Sequence, residues 1–439
     1  MATAYLSKTL PDAHGGVYKW TYSFWVKRSS LGEKVITGAR FSGSFNGIIR
    51  FTSGDALEVY DYRNSFILQK ITSRLFRDLS AWYHIVVSND NSVSSPETEI
   101  YVNGVKETSF STTNEYSQNE TNSFNNDYPN YIGQTGASSQ YFDGSMTHVN
   151  FIDGTALTPT SFGEFDSNGV WIPKPSPSVT YGTNGFFLKM DNSGNMGLDS
   201  SGNSNNFTTS GTITQAKDTP SNVFATLNAL DNTSQTLSNG NTSGYGVTNK
   251  AYRTTLGFQG GKYYWEAKCV TQNTYTMIVG LINETNISNG SYASGNIGTN
   301  ANGWAYFMQS NQDNGKSWHN NTLGSTYQTI SQGDILQIAV DGDAGKIWWG
   351  VNGTWVNSGN PANGTNAVFT NVSTDQILFP SYSAYNGSGG NPLISFNFGN
   401  GYFGTTAVSS AGTNASGNGI FEYDVPTGYT ALSTKGLDS

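Results

Sequence analysis

From Tyr18 to Lys27 the chain alternates strictly. Tyr18, Trp20, Tyr22, Phe24 and Val26 fall on one face; Lys19, Thr21, Ser23, Trp25 and Lys27 fall on the other. A period of two is the signature of a half-buried β-strand. Short apolar or alternating runs predict further strands at 47–52, 56–62, 82–88, 99–102 and 147–151. Asn103-Gly104 follows Ile100-Tyr101-Val102 directly. It predicts a two-residue hairpin, because that turn needs positive φ at both positions. Phe45-Asn46-Gly47 and Asp143-Gly144 predict further turns.

A second group of strands is predicted at 262–270, 276–281, 303–308, 335–340, 346–351 and 393–398. Asp341-Gly342 and Asn352-Gly353 bracket a hairpin in this group. Between the groups, Pro173, Pro175 and Pro177 are spaced by two, which reads as extended, poorly paired chain. Residues 185–190 form a short apolar run, and 199–206 a polar loop. Nothing repeats with a heptad period. The pattern divides the chain into a sandwich at 1–165, a Pro/Gly/Asn-rich connector at 166–217, a second sandwich at 218–403 and a tail at 404–439. The connector is expected to lend strands to one or both neighbours. The tail carries Phe421, Tyr423, Val425, Tyr429 and Leu432 and is expected to dock back rather than float.

Composition agrees with an all-β fold, and the length with two or three β-sandwich domains. Only 12% of the 439 residues are charged, about half of the roughly 25% of an average soluble chain. The gap is filled by Asn, Ser, Thr and 51 Gly, while aromatics reach 13%. Such a chain builds a core, so disorder is excluded. With 22 basic against 31 acidic residues and a net charge of −9, it lacks the footprint of a nucleic-acid binder. One cysteine, Cys269, excludes an internal disulfide framework. The first residues lack an apolar leader segment and no run is long enough to span a membrane, so synthesis in a cytosol without membrane insertion is expected.

Candidate chemistry is sparse. The four histidines are His14, His84, His148 and His319, and none has the spacing of a zinc protease. His84 sits in a strand and reads as structural; Cys269 reads as a buried, inert thiol. A nucleophile elbow is absent. Glu97 and Glu99 are spaced to share a strand face, as paired glycosidase carboxylates would. They lead into a hairpin with no third acid, so a solvated edge is the simpler reading. No cofactor is expected. Ca²⁺ is the one candidate ion, at the oxygen-rich stretches Asp191-Asn192-Ser193-Gly194-Asn195 and Asp199-Ser200-Ser201-Gly202-Asn203. Asx-turns account for the same residues without a metal. Trp20, Phe24, Trp82, Trp265 and one of Trp348 and Trp349 fit core strands. Tyr292, Trp318, Trp355 and Tyr385 lie instead in Gly/Asn-rich stretches read as loops. They are the candidate ligand-binding residues, since rings there can stack on sugars or partner surfaces.

Two ordered sets of segments carry a family resemblance. Tyr5-Leu6-Ser7, the strand from Trp20 to Lys27, Trp82-Tyr83-His84-Ile85-Val86-Val87, Ile100 to Gly104, Tyr131-Ile132-Gly133 and Phe142 to Met146 resemble a laminin-G or concanavalin-A-like jelly-roll. Gly261 to Glu266, Gly333 to Asp341, Gly345 to Gly353, Phe379-Pro380-Ser381 and Asn397-Phe398-Gly399 resemble a SPRY domain. With the segments from Phe151 to Thr158 and from Asp218 to Asn228, the pairing resembles structural proteins of marine tailed phages. That resemblance implies a non-enzymatic virion surface protein, such as a tail fibre, spike or head fibre. Its partners would be other virion proteins, copies of itself and a host-surface glycan or protein. The alternatives are a purely structural capsid decoration or tail connector, and a polysaccharide depolymerase.

Overall fold

The computed structural model describes residues 3–12, 18–137, 139–231, 235–246, 250–272, 276–288, 291–292, 295–309, 312–384 and 392–438; of residues 286–288 and 291–292 it describes the backbone alone. The chain forms two units. One holds residues 1–215 and 219–221; the other holds 216–218 and 222–439.

The first unit is a two-sheet sandwich. One sheet orders eight strands: Phe110–Asn114, Phe66–Leu75, Ala56–Arg63, Phe45–Phe51, Lys34–Ser42, Pro129–Ile132, Tyr5–Thr9 and Thr208–Ser210. The other orders six: Phe186–Leu188, Gly144–Asp153, Lys19–Arg28, Tyr83–Asp90, Glu97–Val102 and Val105–Lys106. Trp20, Tyr22, Phe24 and Val26 face the core, as their alternation requires. Phe151, Tyr22, Val87 and Ile100 stand in one row across the six-stranded sheet. They meet Ile49, Phe51, Leu57, Val59 and Leu68 of the opposite sheet. Asn103 and Gly104 close a two-residue hairpin with φ of 48° and 82°, the geometry that the dipeptide favours.

The half-buried reading of the Lys19–Arg28 strand needs correction: both of its faces are buried. Thr21 bonds to the backbone of Thr155 and Leu157. Trp25 stacks on His84 at 4.7 Å. The hairpin of Gly163–Phe165 and Trp171–Pro173 brings Trp171 onto this outer face, against Gly104 and His84. Residues 166–215 are thus part of the first unit, with Phe186–Leu188 and Thr208–Ser210 completing one edge of each sheet.

The second unit is also a two-sheet sandwich. In one sheet Gln235–Ser238, Ser243–Gly246, Leu393–Asn397, Lys262–Thr271, Ile335–Asp341, Lys346–Val351 and Thr354–Trp355 are neighbours in that order. Thr430–Ala431 pairs parallel to the start of Lys262–Thr271. The second sheet orders Tyr252–Arg253, Leu378–Ala384, Met277–Asn283, Gly303–Gln309, Lys316–His319 and Thr322–Thr326. Trp265, Ile338 and Trp349 form one inward row and pack on Val279, Leu281, Trp304 and Tyr306.

The adjacent tryptophans are both buried, where the sequence placed only one in the core. Trp349 points inward. Trp348 points outward in a row with Tyr264 and Ala339. Phe421, Val425, Tyr429 and Ala431 cover that row. The C-terminal segment therefore forms a second hydrophobic layer on the outside of the sheet. Burying each such ring stabilises the fold by about 1.5–3 kcal/mol.

Candidate functional site

The tryptophans chosen as ligand-binding candidates sit in strands, which corrects their placement in loops. Trp318 belongs to Lys316–His319, where it stacks on Phe307 at 5.3 Å. Trp355 belongs to Thr354–Trp355, after the Asn352-Gly353 turn, and meets Tyr264 edge-on at 6.4 Å. Both are half-buried against small apolar clusters, and they sit on different sheets. The fold does not bring them together. Tyr292 lies in the short strand Ser291–Tyr292, and its side chain is outside the described part; Tyr385 lies outside the described residues.

The acid–base candidates resolve into structural contacts. His84 is fully buried between Ser23 and Trp171: its Nε2 lies 2.9 Å from Ser23 Oγ, and Trp171 Nε1 donates to its Nδ1 at 2.9 Å. An indole nitrogen only donates, so Nδ1 accepts. Burial pushes the His84 pKa down to about 3, so the ring is neutral and carries one proton. That proton is on Nε2 and points at Ser23 Oγ. A serine nucleophile needs the reverse, a base that takes its proton. The Ser23–His84 contact is polarised the wrong way for that role.

His148 Nδ1 lies 2.9 Å from Thr147 Oγ1, whose own proton goes to the carbonyl of Lys189. His319 Nδ1 bonds the carbonyl of Gly303 while the ring stacks on Trp304. His14 lies outside the described residues. Glu97 and Glu99 both pair with Lys106, at 3.1 and 2.7 Å, and Tyr101 Oη donates to Glu99. Hydrogen bonds from Lys106 and Tyr101 outweigh desolvation and hold the Glu99 carboxyl below its ordinary range. A general acid requires the opposite displacement. Among the described residues no cluster of three or more His, Cys, Asp or Glu side chains is arranged to hold a metal ion.

The Asp199 stretch is a turn filled by its own donors. Asp199 Oδ1 accepts from the N–H groups of Phe187 and Ser201. Oδ2 accepts from Ser201 Oγ and the N–H of Asn205. In the Asp191 stretch, Asn192 Oδ1 accepts from the N–H of Gly194 in the same manner. Both are Asx-type turns.

What the Asp199 turn does is build one bank of a groove. The groove has a volume of about 750 Å³ and is lined by Pro11, residues 179–183, Ser201, Asn203 and Asn205. The side-chain amide of Asn203 donates to the carbonyls of Gly182 and Gly185 at 2.5 and 2.9 Å. That of Asn205 donates to Thr183 and Gly185 at 3.0 and 2.9 Å. Behind them, Asp153 accepts from Asn125 and from the N–H of Asn184, whose amide bonds both Asn125 and the backbone of Asp12. The wall is tied together by these hydrogen bonds, and its described lining residues carry neither carboxylate nor ammonium nor guanidinium. Sequence reasoning missed it. The only signal was the density of Asn, Ser and Gly from 199 to 206, which also marks any polar loop.

The second unit holds a buried acid. Glu266 is 0% exposed and accepts four hydrogen bonds. They come from the N–H groups of Glu422 and Tyr423, from Tyr264 Oη and from Asn397 Nδ2. Burial raises its carboxyl to about 7 against the pull of those donors. It fastens the C-terminal segment to the sheet.

Comparisons with known proteins agree with this architecture. Residues 3–161 match the Laminin_G_3 family, described as the concanavalin A-like lectin/glucanases superfamily. Residues 262–400 match the SPRY domain family. No curated protein matches the chain in sequence. Among solved structures, the SPRY domain of human HERC1 is 18% identical, covering 39% of this chain and 96% of that one at a TM-score of 0.30. A putative carbohydrate-binding protein from Bacteroides ovatus is 21% identical, covering 48% of this chain and 56% of that one at a TM-score of 0.34. At these identities and TM-scores the likeness says nothing of ligand or activity. The chain carries a concanavalin-A-like domain of laminin-G type followed by a SPRY domain, each a β-sandwich.

Proposed function

We propose that this protein is a non-enzymatic adhesion module of a phage virion surface, as part of a tail fibre, spike or head fibre. The observation that carries the reading is the pairing of two β-sandwich domains of binding type in one chain. The inverted Ser23–His84 contact and the ion-paired Glu97 and Glu99 support it by removing the described acid–base candidates. The phage setting rests on the resemblance to marine tailed-phage structural proteins. Adhesion would come from many weak contacts multiplied by copy number, each copy raising the effective concentration of the next.

The test is binding of the full chain, displayed multivalently, to host cells and to a glycan array. Retention on a defined glycan or on cells supports adhesion. Silence on both overturns it, and labelling of intact particles by an antibody to this chain then separates a structural virion role from none. Release of soluble sugar from a capsular polysaccharide would replace the reading with depolymerisation.

A further inference from the structure

The groove of the first unit has a chemistry that selects a ligand class. The amide nitrogens of Asn203 and Asn205 are spent on backbone carbonyls. No described donor reaches either amide oxygen. Asn205 is 4% exposed overall and lines the groove, and its Oδ1 is the polar side-chain atom left without a described donor. Asp199 fixes the backbone N–H of Asn205 at 2.8 Å and so holds this acceptor in place. Tyr181 also reaches the groove, with its hydroxyl already given to Asn150. The two side-chain amides therefore present preset acceptors and ask the ligand for donors, while the Thr180 and Thr183 hydroxyls of the lining can either donate or accept. A carboxylated or sulfated ligand would bring more acceptors. It would meet amide oxygens and the nearby Asp199, with no lysine or arginine among the described lining residues.

We infer that this groove binds an uncharged saccharide, whose hydroxyls donate to Oδ1 of Asn203 and Asn205. The inference rests on the adhesion reading and gives it a place and a ligand class. Apart from Pro11, the groove residues lie outside the segment that matches the laminin-G family. A volume of about 750 Å³ is within the range of roughly 300–1,000 Å³ of small-molecule sites. The hydrogen-bonded wall needs no reordering, which lowers the cost of binding.

The test uses the full chain, multivalently displayed on an array of neutral oligosaccharides and their uronic-acid and sulfated counterparts. Thr180→Trp and Thr183→Trp fill the groove from exposed positions and leave the backbone carbonyl of Thr183 in place for Asn205. Near-ultraviolet circular dichroism and thermal melting establish that each variant is folded. Binding to neutral glycans at least about tenfold stronger than to acidic ones, and lowered about tenfold or more by either folded variant, supports the inference. A preference for acidic glycans, or neutral-glycan binding unchanged in the folded variants, overturns the groove assignment and leaves adhesion standing. An array and cell panel on which the unmodified chain binds nothing overturns adhesion itself. If one variant fails to fold, the other and the neutral-to-acidic ratio of the unmodified chain still decide.

Discussion

Trp171 donates its indole N–H to Nδ1 of His84 at 2.9 Å, across 87 residues of chain. This contact fixes the tautomer of a buried imidazole and closes the outer face of the strand that Ser23 and Trp25 occupy. The first prediction follows. Nitrogen-15 NMR will show His84 neutral with its proton on Nε2. Trp171→Phe keeps an aromatic ring but removes the donor, leaving a buried acceptor unpaired. It will cost about 1–3 kcal/mol, read as a lower urea midpoint at unchanged slope. A proton on Nδ1 in the unmodified protein would contradict the argument against a Ser23 nucleophile.

The second prediction concerns acid. Burial lowers the pKa of His84 from 6.5 to about 3 and that of His148 from 6.5 to about 4. Between those values the unfolded chain binds protons that the fold does not. Their contribution to stability is complete above pH 6.5 and is lost as the pH falls toward 4 and 3. Burial raises Asp61 from 3.8 to about 6, and this one group acts in the opposite sense. The melting temperature of the first unit will therefore fall from pH 7 to pH 4.5. His148 has a φ of 50°, a conformation Asn also tolerates, so His148→Asn removes a titrating group without adding backbone strain. That variant will show a shallower slope; an unchanged slope would count against the assignment.

The third prediction is that Glu266 controls the C-terminal layer. Glu266→Ala leaves the N–H groups of Glu422 and Tyr423 without their acceptor and will cost about 2–5 kcal/mol. Glu266→Gln supplies one acceptor oxygen instead of two and will lie between. Limited proteolysis within 404–427 will follow the same order, fastest in the alanine variant. Equal protection of all three would show that the apolar contacts of Phe421 and Val425 suffice alone.

The fourth prediction is inertness of the thiol. Cys269 is fully buried, and burial pushes its pKa to about 12. A chromogenic disulfide at pH 8 will not react with it in the native protein and will titrate one thiol in denaturant. Rapid native labelling would mean that the strand Lys262–Thr271 opens locally.

Much of the fold was legible because it is written locally. The inward row of Trp20, Tyr22, Phe24 and Val26 is visible as period two, and the turn at Asn103-Gly104 as a pair that accepts positive φ. The missed strands break those local rules for tertiary reasons. In Phe66–Leu75 the inward positions after Leu68 are Lys70 and Thr72. They read as polar, yet Lys70 is satisfied by Glu115 and the carbonyl of Thr98. Leu378–Ala384 contains Pro380, normally a signal against a paired strand, and only the SPRY resemblance of Phe379-Pro380-Ser381 pointed to it. Lys34–Ser42 carries two register shifts that scramble its alternation.

The sequence by itself determined the fold class, the strands with clean alternation and the hairpins closed by Asn-Gly. Each of these depends on interactions between residues a few positions apart. Only the tertiary structure decided that both faces of Lys19–Arg28 and both Trp348 and Trp349 are buried, because the covering side chains come from distant segments. It alone separated Trp318 from Trp355 and gathered Pro11, residues 179–183 and Asn203 and Asn205 into one groove. Polar loops have no periodicity to read. Their geometry is set by hydrogen bonds such as Asn205 to Thr183, which link backbone and side-chain groups some twenty residues apart and leave no pattern in the chain.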